Sequence, residues 1–193
     1  MKLFSAIAEH FVFINKFIRF PQQVGSIAPS SSFLARKMFP PKPGGPALKI
    51  AELGAGTGAI TKYILKTMPE SSELFLFEKD DSLRESLQLK YEAQASYYAE
   101  ARNMIDAVRD GRKFDYILSG LPFANFPQSL RNEIIDQAYE TLKPGGLFIA
   151  FQYSLQMKKL LESRFVIERI DFVPLNIPPA FVYVCRKGEG GAG

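Results

Sequence analysis

Tryptophan is absent from these 193 residues, and cysteine and histidine occur once each. A lone cysteine, Cys185, excludes an internal disulfide framework and suits a reducing compartment. One Cys and one His cannot furnish the usual ligands of a structural zinc site. No run of Lys or Arg marks a nucleic-acid tail, and a formal net charge of +4 favours anionic surfaces only weakly. That charge does not separate nucleic acid from anionic lipid. No uninterrupted apolar stretch reaches the roughly 20 residues needed to cross a bilayer. The first residues have the apolar content of a signal peptide, but Glu9, His10, Asn15 and Lys16 interrupt them and no small-x-small cleavage site follows. A cytoplasmic protein is the expectation.

Hydrophobic residues make up 47% of the chain, enough to collapse into a folded core. Seventeen of them are Phe, which either enrich that core or face lipid or an apolar partner. Cys185 follows the apolar run Phe181–Val184, where a small buried residue is expected.

Leu3, Ile7, Phe11, Ile14 and Ile18 recur at helical spacing, opposite Lys2, Ser5, Glu9, Lys16 and Arg19. Phe13, Phe17 and Phe20 widen the apolar arc, and Pro21 ends the helix. Such a helix can lie in a membrane interface or dock as a lid over a pocket. A small-residue loop, Gln22–Ser32, leads to a short amphipathic helix near Phe33–Phe39. Pro40–Pro46 reads as a stiff linker.

From Ala47 strands and helices alternate. The apolar runs Leu48–Leu53, Glu73–Phe77, Phe114–Ser119 and Leu147–Tyr153 read as strands, with a weaker one near Ala95–Ala99. Helices are predicted over Gly58–Met68, Asp80–Tyr91, Asn103–Arg109, Gln128–Leu142 and Leu155–Ser163. This alternation requires a parallel sheet with right-handed crossovers and helices on both faces. Phe165–Phe172 and Phe181–Arg186 are joined by a Pro-rich loop too short for a helical crossover, so one of them runs antiparallel.

The chemistry centres on Ala51–Thr61, AELGAGTGAIT, at a strand-to-helix junction. Gly54, Gly56 and Gly58 permit positive φ and let a ligand approach the backbone. The following helix N-terminus suits an anionic group. Gly54-x-Gly56-x-x-Ala59, with Glu78 about 20 residues on, also satisfies the dinucleotide fingerprint. Glu78 itself ends a strand, where a carboxylate can take both ribose hydroxyls of either cofactor.

The loop Glu52-x-Gly-x-Gly-x-Gly, including Ala55, resembles motif I of class I S-adenosylmethionine-dependent methyltransferases, and Leu142-Lys143-Pro144-Gly145-Gly146 resembles a turn common in them. The domain is also expected to end too soon for a separate dehydrogenase substrate domain. The resemblance implies that Glu52 anchors the methionine end of the cofactor, that Glu78, with Lys79 beside it, holds the ribose, and that Glu100-Ala101 contacts adenine. Ser119-Gly120-Leu121-Pro122-Phe123 resembles the Asn-Leu-Pro-Tyr motif of adenine amino methyltransferases, with Gly120 in place of the amide. Losing that amide argues against adenine as the acceptor. Ser119 is expected on the cofactor side, Gly120, Leu121 and Pro122 at the reaction centre and Phe123 against the substrate.

Phe20-Pro21, Val24-Gly25-Ser26-Ile27-Ala28-Pro29-Ser30-Ser31, Glu52–Gly58, Gly120–Phe123 and Asn176-Ile177-Pro178-Pro179-Ala180 together resemble the bacterial phospholipid N-methyltransferases related to rRNA adenine dimethylases. The resemblance implies an α/β, Rossmann-like class I methyltransferase fold. Its seven-stranded, mostly parallel sheet has order 3-2-1-4-5-7-6, the last strand antiparallel, helices on both faces and an N-terminal helical cap. It implies methylation of the phosphatidylethanolamine amine, with Gly25, Ser26, Ile27 and Ser30 bordering the head group and Tyr153 facing the amine. Tyr153, Phe123 and Phe181 are then the aromatic faces available to a methylated ammonium. The expected organisation is one structural domain: helix, cap and linker over 1–46, the cofactor-binding region over 47–187 and a tail over 188–193. A monomer is expected, peripheral at the inner face of the membrane, bound to an anionic surface through its N-terminal helix, with phospholipid rather than nucleic acid as its partner.

Overall fold

The computed structural model describes residues 30–39, 45–176 and 178–189. The amphipathic helix over 3–20 and the loop residues Gly25, Ser26 and Ile27 lie outside the described residues, as does most of the Pro40–Pro46 linker.

Strand β1 (Lys49–Leu53) is buried at all five positions, as befits a central parallel strand covered on both faces. It pairs in parallel with β2 (Glu73–Phe77) on one side and β4 (Phe114–Ser119) on the other. β3 (Ser96–Tyr98) extends the sheet beyond β2, and β5 (Leu142–Gln152) lies beyond β4. β7 (Ala180–Arg186) runs antiparallel to both β5 and β6 (Val166–Val173), completing the order 3-2-1-4-5-7-6. The sheet order and the antiparallel last strand are as expected from the sequence.

Helices α1 (Ser30–Met38), α2 (Ala59–Thr67), α3 (Asp81–Tyr91), α4 (Gln128–Thr141) and α5 (Lys158–Glu162) join the strands. Two apolar clusters sandwich the sheet. Leu34, Met38 and Phe39 of the α1 segment join Ile50, Ile64, Leu76 and Leu118 on one face. Phe77, Ile117, Phe123, Ile135 and Phe148 fill the other. The helix assigned by sequence to the N-terminal cap therefore contributes directly to the core.

Two elements differ from the sequence reading. The helix expected over Asn103–Arg109 is a 3-10 segment, Ala101–Val108, broken by a non-helical Asn103 at φ −107° and ψ 30°. The Leu142–Gly146 turn, placed before β5, lies within it. Phe114 pairs with Leu142 but Tyr116 with Leu147, so the turn is absorbed as a bulge in the ladder. Gly145 sits there at φ +73°, a conformation that favours glycine.

Candidate active site

In a sheet ordered 3-2-1-4-5, connections reverse direction between β1 and β4, and the crevice beyond their carboxyl ends is the expected ligand site. The loop after β1 and the Gly120–Phe123 segment after β4 both open there. Gly54 N–H donates to Phe77 O at 2.7 Å and Gly120 N–H to Leu53 O at 2.8 Å, knitting the two loops to the strand ends.

The three loop glycines have φ of +74°, +57° and +80°, yet they serve different purposes. A Cβ on Gly56 would meet nothing within 4 Å, so the backbone is open to a ligand there. One on Gly58 would come within 2.9 Å of Leu87 and 3.0 Å of Tyr91, both on α3. Gly58 is a packing glycine, fastened by Tyr91 Oη donating to its carbonyl at 3.2 Å. Ala55 is buried within the α1-side cluster.

Glu78 is the organiser of this end. Its Oε2 accepts from Gly56 N–H at 2.8 Å and its Oε1 from Asp80 N–H at 3.0 Å. Each carboxylate oxygen retains a lone pair for a ligand hydroxyl. Glu52 sits beneath the loop, 2% exposed, with Thr61 Oγ1 donating to it at 2.6 Å. Burial is the main cause that lifts its carboxyl to about 8, with the Glu78 charge adding to the rise and the Thr61 bonds opposing it. Thr61, fully buried, is a partner that the sequence reading missed; its signal was a hydroxyl one turn into the helix after an acidic strand end.

A cleft of about 140 Å³ is lined by Gly54, Glu78, Lys79, Glu100, Ala101 and Leu121, bringing together residues assigned to the cofactor from three separate loops. Glu100 lies between two cations, Lys79 Nζ at 3.6 Å and Arg102 Nε at 3.5 Å. A larger concavity of about 540 Å³ opens at the opposite end of the sheet, near Asp115, Lys143 and Arg186, and holds none of the expected site residues.

On the acceptor side the structure redistributes the expected roles. Ser119 is fully buried, and its Oγ accepts Leu121 N–H at 3.3 Å, so it shapes the turn rather than facing the cleft. Phe123 opens a 3-10 turn, Phe123–Asn125, that carries its ring into the core, 0% exposed and edge-on to Phe126 at 5.9 Å. It is not brought to the crevice, which corrects its expected contact with substrate. Pro122 precedes that turn. A Cβ on Gly120 would lie 3.2 Å from Gly54 O and 3.3 Å from Phe151 Cε1. Leu121 O accepts from Gln152 Nε2 at 2.9 Å. Phe151 and Gln152 escaped the sequence reading, although Ser119 pairs with Ala150 and so puts residues 120 and 151 side by side.

Tyr153 is half-buried, edge-on to Phe151 at 5.9 Å. Burial raises its hydroxyl above the ordinary tyrosine range, against the effect of a hydrogen bond with Asn176. It is therefore a neutral hydroxyl near pH 7. Phe181 packs on Phe172 at 5.2 Å, toward the far edge of the sheet. Ser30 opens α1, but its side chain lies outside the described residues, as does Ile177.

Comparison with known proteins agrees with this geometry. The methyltransferase NodS from Bradyrhizobium japonicum WM9, solved with S-adenosyl-L-homocysteine, superposes with a TM-score of 0.67 at 13% identity, covering 84% of this chain and 89% of that one. The 1,6-didemethyltoxoflavin-N1-methyltransferase of Burkholderia thailandensis gives 0.65 at 15% identity, covering 95% and 89%. The ornithine lipid N-methyltransferase of Singulisphaera acidiphila is 29% identical over 185 residues, 92% of this chain and 96% of that protein. With the glycine loop, Glu78 and the sheet order, these place the chain among the class I, S-adenosylmethionine-dependent methyltransferases. It belongs to the methyltransferase small domain family, whose model matches residues 24–170.

The residues present fit that cofactor. The open backbone at Gly56 and the Glu78 carboxylate would hold its ribose side, and the Glu100–Ala101 end of the cleft its base. The methionine end would lie over the Glu52-supported loop.

Proposed function

We propose that this methyltransferase acts on a primary aliphatic amine in the head group of a membrane lipid, at the membrane surface. The observation that carries the proposal is residue 120. A glycine at the end of β4 offers no side-chain hydrogen bond to a planar base amino group, and Gly54 O and Phe151 Cε1 crowd the position of its Cβ at 3.2 and 3.3 Å. The likeness to an ornithine lipid N-methyltransferase over 92% of the chain supports a lipid acceptor. Phosphatidylethanolamine carries the same amine chemistry and is the acceptor implied by the Gly25–Ser31 loop.

When bound, S-adenosylmethionine supplies a methyl group already activated on a sulfonium. The chain's own task is alignment and exclusion of water. Gly56 N–H and Glu78 fix the cofactor side, while Gly120, Leu121 and Phe151 wall the acceptor side. Tyr153 offers a neutral hydroxyl next to Phe151. No helix among the described residues is long and apolar enough to cross a membrane. The proposed surface contact is the amphipathic segment over 3–20, acting in a monomer on the inner face of an anionic membrane.

The test is transfer of radiolabelled methyl to phosphatidylethanolamine vesicles, ornithine-lipid vesicles and RNA in parallel. Label in either lipid is the expected result and identifies which amine is used. Label in RNA alone would overturn the proposal in favour of the adenine reading that Leu121-Pro122-Phe123 first suggested.

A further inference from the structure

We infer that Phe151 and Gln152, at the end of β5, are the residues that set acceptor specificity, by removing both hydrogen-bonding positions of the Gly120–Leu121 turn. The inference deepens the proposed lipid-amine reading and rests on it for the identity of the acceptor.

Parallel pairing of Ser119 with Ala150 sets Gly120 beside Phe151. The ring edge, Phe151 Cε1, stands 3.3 Å from where a Cβ of residue 120 would be, and Gly54 O stands 3.2 Å away on another side. Gly54 O belongs to the cofactor loop, whose backbone is tied to Phe77. A side chain at position 120 must therefore displace the aromatic ring or press on the loop that carries the cofactor. Gly120 has a negative φ, so conformation alone does not demand glycine there. The demand is steric, and the Gly54 carbonyl and the Phe151 ring impose it together.

One residue further on, Gln152 is 4% exposed and sends Nε2 to Leu121 O at 2.9 Å. Leu121 O also accepts from Phe123 N–H at 2.9 Å, so the Gln152 bond takes the second lone pair of the carbonyl that remains on the turn once the side chain at 120 is gone. Adjacent residues of a strand point to opposite faces, so one β5 end reaches the turn from both sides at once. Phe151 in turn packs edge-on against Tyr153, whose hydroxyl bonds with Asn176 of the β6–β7 loop. The wedge is thus braced from behind. What faces an incoming acceptor is an apolar wall with its polar groups already paired. Such a wall selects by shape and tolerates successive N-alkyl groups, whereas a planar amide-like edge finds no partner.

The test is a double-mutant cycle on Gly120→Asn and Phe151→Ala, with Phe151→Leu as the volume-retaining control. Thermal unfolding, S-adenosyl-L-homocysteine binding and methyl transfer to the lipid acceptor are read for each variant. Gly120→Asn alone is expected to lower the melting temperature and cut turnover more than tenfold. In the double variant the asparagine costs less than it does alone, because the ring no longer crowds it while Gly54 O still does. Phe151→Ala itself should raise the lipid KM at least tenfold with S-adenosyl-L-homocysteine affinity within twofold, and Phe151→Leu should recover most of that KM. Gln152→Leu should weaken lipid discrimination against adenine-containing RNA. Additive melting temperatures across the cycle, or an unchanged lipid KM in Phe151→Ala, would overturn the inference. If the wild type labels no lipid, the acceptor reading fails by itself, while the melting and ligand-binding cycle still decides whether the wedge exists.

Discussion

The two halves of the crevice are built on opposite plans, although each hangs from the carboxyl end of a central strand. On the β1–β3 side the backbone is left open, with Gly56 facing empty space and Glu78 spreading its carboxylate across two loops. On the β4–β5 side the space is closed, with Phe151 against Gly120 and Gln152 on Leu121 O. The first plan suits a fixed, polar ligand recognised by hydrogen bonds. The second suits a group that changes as it is methylated and must be held without a fixed donor–acceptor pattern. The same residue type, glycine, marks both plans for different reasons: conformation and access at Gly56, crowding at Gly120.

The contrast can be broken most severely at Gly58. Alanine there must hold φ near +80° and meet Leu87 and Tyr91 at about 3 Å, so a loss of about 3 kcal/mol is expected from strain and overpacking together. Chemical denaturation measures it, and a loss below about 1 kcal/mol would mean that α3 yields easily. Next comes Glu78→Ala, which frees two N–H groups and removes the ligand-facing carboxylate. Affinity for S-adenosyl-L-homocysteine by calorimetry should fall about 100-fold, the equivalent of two charge-assisted hydrogen bonds, with lipid KM little changed.

A smaller effect separates the two halves by pH. The folded chain keeps Glu52 protonated up to about 8, whereas its ordinary value is 4.5. The stability this group contributes is fully present below that lower value and is lost as pH climbs through the window to about 8. Glu52→Gln stays neutral, so melting of the ligand-free variant should vary less with pH between 5 and 8, across the window. Equal slopes would place the titration elsewhere. The smallest effect is expected from Tyr153→Phe, which keeps the ring on Phe151 and loses only the bond to Asn176. Turnover should change about threefold or less, the scale of one neutral hydrogen bond. A fall of about a hundredfold would instead give that hydroxyl a proton-handling role.

The open half was readable in the sequence because its parts are local. Glu52, the three glycines and α2 follow one another between residues 52 and 67, and Glu78 follows the next strand. Apolar runs located β1, β2 and β4, the first and last of them closed by Gly54 and Gly120, and the short Pro-rich link revealed the antiparallel end. The closed half was not readable in the same way. Gln152 reaches Leu121 across 31 positions, and the Phe151–Gly120 contact depends on the β4–β5 register, which the Gly145 bulge offsets. Phe123 misled because its place in a motif says nothing of the 3-10 turn that rotates the ring inward. Ser119 misled likewise, since a buried serine serves its own turn as readily as a ligand.

Leu121 has a consequence for how the two ligands affect each other. Its side chain reaches within 3.0 Å of the Cβ position of Gly54, and its carbonyl is held by Gln152. On the proposed reading, this one residue is the shared partition between the compartments for donor and acceptor. A partition this thin carries information: filling one compartment braces the wall of the other. The bracing is reciprocal, so on the proposed reading S-adenosyl-L-homocysteine should tighten binding of the amine by the same factor as the amine tightens binding of S-adenosyl-L-homocysteine.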